Sequence, residues 1–206
     1  MAVSANLAVE DELSEAILRR LLAESSQKYH VRVVYSGGGY GYIKKNIGRY
    51  NAAARHTPFI VMTDLDTYAC PPELIADWLA VPAEQNFLFS IAIREPEAWI
   101  LADRAAIAKL LGISAAIIPL TPEAIEDPKL TLLTLANRSP SSRIRESLVR
   151  SDFGSLKQGP DYNGMLAVFV AKSWSPSRAA QKCPSLHRMR KRLNDFTPRI
   201  GPQASN

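Results

Sequence analysis

Apolar residues recur in two alternating rhythms along the first half of the chain. Short runs at Asn6-Leu7-Ala8-Val9, Val31-Arg32-Val33-Val34-Tyr35, Phe59-Ile60-Val61-Met62 and Phe87 to Ile93 have the length and β-branched content of strands. Between them the spacing changes. Leu13, Ile17 and Leu21 repeat at helical intervals, Ile43 to Arg55 reads as a second helix, and Pro71-Pro72 opens a third that runs to Leu79. A fourth helix carries Ala98, Trp99, Leu101 and Ala102. The unbroken run Phe59 to Met62 suits a strand buried on both faces. Strands alternating with helices predict an α/β fold, a parallel four-stranded sheet flanked by helices.

Beyond about Leu110 the pattern is helical throughout. Pro119 to Ala136, Ser141 to Val149, Asn163 to Ser173 and Ser185 to Leu193 are separated by Pro, Gly and Ser, and no strand is predicted. The boundary falls near residue 112: residues 1–112 form the α/β core, and 113–206 form a C-terminal basic helical extension packed on it. The tail Thr197 to Asn206 is expected to fray.

Charge sharpens this division. Residues 1–128 hold 11 Lys/Arg against 16 Asp/Glu, a balance of −5, whereas residues 129–206 hold 14 against 4, a balance of +10. An acidic front could hold a metal and a basic back could neutralise phosphates, although a solvated surface gives the same balance. Two distant cysteines, Cys70 and Cys183, make no disulfide framework and fit a reducing compartment. His30, His56 and His187 have no zinc spacing. The opening MAVSANLAVEDELSE has neither a basic leader nor a long apolar stretch, so a cytoplasmic protein is expected.

Three of the four strands end in carboxylates: Glu10 after the first, Asp64 and Asp66 after the third, Glu95 and Glu97 after the fourth. Parallel α/β sheets bind ligands beyond these strand ends. Clustered carboxylates repel one another unless a cation neutralises them, and oxygen ligands select Mg²⁺ or Mn²⁺. On an extended chain Asp64 and Asp66 point the same way and could share one ion. Plainer accounts stand beside these. Glu10 and Glu97 could complement the positive ends of the helices that follow them, and the Asp pair could cap a helix or shape a turn.

Leu7-Ala8-Val9-Glu10 with Ser14-Glu15, and Val61-Met62-Thr63-Asp64-Leu65-Asp66, resemble the glutamate and DxD signatures of toprim domains, which occur in topoisomerases, primases and overcoming-lysogenization-defect nucleases. Arg94-Glu95-Pro96-Glu97-Ala98-Trp99-Ile100-Leu101-Ala102-Asp103 resembles the hallmark of a bacterial toprim-like family of unknown function, often encoded beside an ATPase in phage-defence loci. Further matches lie at Asp127-Pro128-Lys129, Gly159-Pro160-Asp161-Tyr162-Asn163 and Pro184-Ser185-Leu186. The resemblance implies a toprim-like (Rossmann-like) fold and a Mg²⁺- or Mn²⁺-dependent endonuclease of DNA or RNA working in anti-phage defence with an ATPase partner. It makes Glu10 the general acid/base and Asp64 and Asp66 metal ligands, adds Glu97 as a further carboxylate at the metal, and offers Lys129 as a phosphate partner. Where the family pattern has glycine after the glutamate, Asp11 stands here.

Nucleic-acid contacts are expected at Lys44, Lys45 and Arg49, and at the densest basic cluster, Arg188, Arg190, Lys191 and Arg192. Ser36-Gly37-Gly38-Gly39 lacks the Gly-Lys-Ser/Thr of a phosphate loop and reads as a strand-to-helix turn. Trp78, Trp99 and Trp174 sit in helical patterns and are assigned to packing, as Cys183 and Ser185 are to structure.

Rival functions are a metal-dependent phosphatase of the haloacid-dehalogenase type, a nucleotide-sugar transferase, and a non-catalytic nucleic-acid-binding or ATPase-associated regulatory subunit. The phosphatase pattern needs threonine or valine where Tyr68 stands, and the transferase needs a larger domain. No membrane association is expected, and a homo-oligomer is allowed for.

Overall fold

The α/β rhythm of the sequence is carried by short local signals that start and stop each element. In the computed structural model, which describes residues 2–199, β1 (Val3–Ala8) leads into α1 (Glu12–Glu24) through Asp11, whose carboxylate accepts the Ser14 N–H at 2.8 Å. Asp11 is extended at φ −147°, so this turn makes no demand for glycine. After β2 (Tyr29–Tyr35) the chain passes Gly37 and Gly39, at φ +85° and +61°, into α2 (Gly39–Ala53). These left-handed angles explain the glycines. The loop is tied down by the Gly39 N–H donating to the Glu10 carbonyl at 3.2 Å. β3 (Phe59–Asp64), α3 (Pro71–Trp78) and β4 (Phe87–Ala92) follow.

The fold is α/β, with a four-stranded parallel sheet in the order β2-β1-β3-β4 flanked by helices. Val3 to Ala8 pairs with Tyr29 to Tyr35 on one side, and Asn6 to Ala8 pairs with Phe59 to Val61 on the other. Connections leave β1 in one direction and β2 and β3 in the other. Right-handed crossovers therefore put α1 on one face of the sheet and α2 and α3 on the opposite face. The order reverses between β1 and β3, which makes that pair of strand ends a topological switch point.

Burial follows from position. β4 is buried at every residue and β3 at every residue but Asp64, whereas the edge strand β2 leaves Val33 46% exposed. The β4 end of the sheet is covered by the returning C-terminal segment: Arg192 donates to the Phe89 carbonyl, and Asn86 exchanges hydrogen bonds of 2.9 and 2.8 Å with the Arg199 backbone. A covered edge cannot template pairing with another chain.

By compactness the chain divides into residues up to Ile91 together with Met189 onward, and Ala92–Arg188. The boundary at 112 expected from the sequence lies inside the second unit, just after α5. That unit contains α4 (Glu97–Ala102), α5 (Arg104–Leu111), two 3-10 turns, α6 (Pro128–Asn137), α7 (Ser142–Leu148), β5 (Val149–Asp152), β6 (Ser155–Gln158), α8 (Tyr162–Lys172), α9 (Pro176–Ala179) and the start of α10 (Pro184–Asp195).

Two readings of this stretch are corrected. The helix expected from Pro119 to Ala136 is a 3-10 turn at Pro122–Ala124 followed by α6, because Asp127 caps and Pro128 restarts the helix. The all-helical reading also missed β5 and β6, an antiparallel hairpin. Its turn is Phe153-Gly154, both at positive φ, without the Asn-Gly or Asp-Gly pair that flags such a turn in sequence. Among the described residues no single helix is long and apolar enough to cross a membrane. Of the tail 197–206, residues 200–206 lie outside the described residues.

Candidate active site

The switch point brings the Glu10 carboxylate onto the backbone of Asp64. Glu10 leaves the carboxyl end of β1 and reaches across to β3, where its Oε1 accepts the Asp64 backbone N–H at 3.0 Å and the Thr63 hydroxyl. Its carboxylate is thus fixed on the neighbouring strand end, while Asp11 caps α1. Thr63 is buried and Asp64 half-buried, so Glu10 and Asp64 meet in partly desolvated surroundings. Thr63 went unmarked in sequence, as a hydroxyl at the end of an apolar run.

Asp66 is placed otherwise than an extended chain would place it. The strand ends at Asp64, Leu65 is buried, and Asp66 is exposed at φ +49° in a turn closed by the Tyr68 N–H on the Leu65 carbonyl at 3.1 Å. Asp64 and Asp66 are therefore not aligned by strand alternation. A left-handed aspartate in a strand-end turn is tolerated because its short polar side chain bonds locally.

Just beyond, Tyr68 organises α2 and α3. Its hydroxyl donates to Asp77 at 2.5 Å and receives the Trp78 indole N–H at 3.3 Å, while Lys44 pairs with Asp77 at 2.7 Å. The Asp77 and Tyr68 partners raise the Lys44 pKa, and Lys44 in turn lowers that of Asp77. Lys44, expected at nucleic acid, thus ties α2 to α3. Lys45 and Arg49 are exposed on α2. In the C-terminal cluster Arg188 is exposed, Arg190 is half-buried, Lys191 pairs with Asp195 and Arg192 donates to β4.

The second unit assembles its own charged cluster. Glu97 is 2% exposed at the first turn of α4; its Oε1 accepts the Tyr162 hydroxyl at 2.9 Å and lies 3.8 Å from the Lys129 ammonium. Glu95 takes both ends of Lys129, the backbone N–H at 2.8 Å and Nζ at 3.2 Å. Burial is the largest influence on Glu97 and pushes its pKa up to about 7. Lys129 opposes that rise, Glu95 adds to it, and the Glu97 backbone and Tyr162 hydrogen bonds lower it. Lys129 is held between two carboxylates with its side chain 34% exposed.

The remaining motif residues support α4. Trp99 donates to Ser185 Oγ at 2.8 Å, and Ser185 passes a hydroxyl bond of 2.5 Å to Glu123. Asp103 receives a two-pronged Arg178 at 2.9 and 2.7 Å, and Cys183 donates to the Ala98 carbonyl at 3.6 Å. Burial raises the Cys183 pKa, so the thiol stays protonated and packs. Segments far apart in sequence, at Lys129, Tyr162 and Ser185, therefore converge on one buried helix. Glu95 and Tyr162 gained a role that the sequence had not assigned them.

Among the described residues no group of three or more His, Cys, Asp or Glu is arranged to hold a metal ion. The donor chemistry nevertheless suits Mg²⁺, which takes one or two protein carboxylates and fills its octahedron with water and substrate oxygens. Glu10 and Asp64 meet that requirement, with Asp66 in the adjoining turn.

Comparison with known proteins adds a family. The model of "Domain of unknown function (DUF4276)" matches residues 9–194. No curated protein matches the chain significantly. Among solved structures, the C-terminal region of the Burkholderia pseudomallei OLD protein aligns over 92% of this chain and 98% of that one, at 15% identity and a TM-score of 0.46.

Proposed function

The chain belongs to the DUF4276 family, and from its switch-point chemistry we propose that it is a divalent-metal-dependent nuclease hydrolysing phosphodiester bonds in DNA or RNA. The observation that carries this reading is the Glu10 carboxylate bound to the Asp64 backbone across β1 and β3. It places two acids at the strand ends where such sheets bind ligands. Glu10 and Asp64 are the residues to hold Mg²⁺ or Mn²⁺, with Asp66 near enough in the chain to add an oxygen. A metal held there would activate water and neutralise charge developing on the phosphoryl oxygens.

The chain's own residues supply the rest. Thr63 and the Asp64 N–H orient Glu10, so that its second oxygen can take or return a proton. In the second unit, Lys129 is 34% exposed beside Glu95 and Glu97, and its ammonium would be offered to a phosphate oxygen. Glu97 is assigned to that support and not to the metal. Lys44, Lys45 and Arg49 on α2, and Arg188, Lys191 and Arg192 on α10, are exposed basic groups that would meet the polyanion. An ATPase partner and a place in phage defence enter from the motif resemblance.

A cleavage assay tests the reading. Single- and double-stranded DNA and RNA should be cut with Mn²⁺ or Mg²⁺ and left intact in EDTA; intact substrates under every metal condition would leave a binding protein instead. Within this reading, Lys129→Ala should slow cleavage at least about tenfold and reduce the salt slope of binding by about one. Below about pH 7, where the buried Glu97 keeps its proton, the melting temperature should fall only slightly, since the remaining Lys129–Glu95 pair is partly exposed. Unchanged turnover would remove Lys129 from the substrate path.

A further inference from the structure

The β5–β6 hairpin carries two features that are unfavourable in isolation. Its turn places Phe153 at φ +45° with the whole ring in solvent, 106% exposed relative to the reference state. A left-handed aromatic residue is conformationally strained, and an exposed phenyl ring gains nothing from packing. Three pairs back from the turn, Arg150 and Lys157 are direct cross-strand partners, and both are exposed. Like charges facing each other across a strand pair destabilise it. Asp152, on the same face one step nearer the tip, offsets one of the two charges.

The opposite face is where the hairpin is held. Val149 and Leu156 are half-buried, and the Gly159 N–H donates to the Leu148 carbonyl at 2.9 Å to close the base. A Cβ at Gly159 would lie 2.4 Å from the Ser147 carbonyl oxygen, so that closure requires glycine. The cationic face and the ring are left projecting from an anchored ribbon.

We propose that this hairpin is a nucleic-acid contact, in which Phe153 stacks on an unpaired base while Arg150 and Lys157 bind flanking phosphates. The inference rests on the nuclease reading and narrows its substrate to nucleic acid with single-stranded character. Every base offers a π face to an aromatic platform, and phosphates relieve the Arg150–Lys157 repulsion. A lone phenyl ring bordered by Asp152 and Ser155 favours this partner over a lipid surface, which selects a broader apolar face.

The test separates the ring from the fold. Phe153→Asn creates the Asn-Gly pair preferred by this turn, so the hairpin is kept or strengthened as the ring is lost. Binding is measured in EDTA, by fluorescence anisotropy, with a single-stranded oligothymidylate of about 15 nucleotides and with a duplex of equal length. Phe153→Asn should weaken single-strand binding about tenfold and duplex binding little, and Phe153→Trp should preserve both. Arg150→Gln with Lys157→Gln should lower the salt slope by about two. If wild type binds and these variants bind identically, the hairpin assignment falls and the nuclease reading stands. If wild type binds no oligonucleotide, both fall. Loss of binding to phosphatidylglycerol vesicles with oligonucleotide binding intact would give the tip to a membrane and overturn the proposal.

Discussion

Asp64→Asn should reduce metal-dependent cleavage at least about 100-fold while leaving the metal-free protein as stable as wild type or slightly more so. Asparagine keeps the shape of the side chain and removes its charge. The hydrogen bond that fixes Glu10 comes from the backbone N–H of residue 64 and survives the substitution. With one charge gone, repulsion between the Glu10 and Asp64 carboxylates falls, so the empty site loses strain as it loses affinity. A structural turn residue would behave differently, because asparagine replaces aspartate in caps and turns at little cost. Thermal melts in EDTA and single-turnover cleavage with Mn²⁺ on the same preparations make the comparison. Wild-type cleavage by Asp64→Asn would exclude this carboxylate from the chemistry.

Glu97→Gln should stabilise the metal-free protein by about 3 kcal/mol at pH 8 and have little effect near pH 5. Glu97 is buried and titrates at about 7 when folded, against 4.5 for an ordinary glutamate. Between those values the folded protein keeps a proton that the unfolded chain has released. Stability therefore falls as pH rises through that window, and the full penalty is present above about 7. Glutamine is neutral at every pH and still accepts the Tyr162 hydroxyl, while Glu95 continues to hold Lys129. The expected gain follows from the gap between those two titrations. Urea unfolding across this pH range measures it. A pH-independent loss of stability would show that the charged form of Glu97 is the one the fold requires.

Much of this architecture was legible because the sheet imposes strong patterns. The unbroken run Phe59 to Met62 could only be buried on both faces, and it is. Pro71-Pro72 marked a helix start, and α3 begins there. Strand-end acids were visible for the same reason, since each follows an apolar run. What escaped was set by tertiary contacts or by unusual turns. Asp66 lies in a left-handed turn and not on an extended strand, because β3 stops two residues earlier than alternation assumed. Lys44 is the surface cation it was read as, but its pairing with Asp77 and Tyr68, distant in sequence, was not visible. The hairpin was hidden because Phe153 occupies a position that normally declares itself with asparagine or aspartate. Asp11, whose side chain stands where a glycine was expected, fits because the backbone there is extended and its carboxylate caps α1.

The central claim is that Glu10 and Asp64, at the reversal point of the strand order, hold a divalent cation. Isothermal titration of Mn²⁺ into the metal-free protein tests it most directly, with Glu10→Gln and Asp64→Asn titrated alongside. Wild type should bind saturably and each variant at least about tenfold more weakly, with all three proteins equally folded. Equal Mn²⁺ binding by the three, or no binding by wild type, would contradict it.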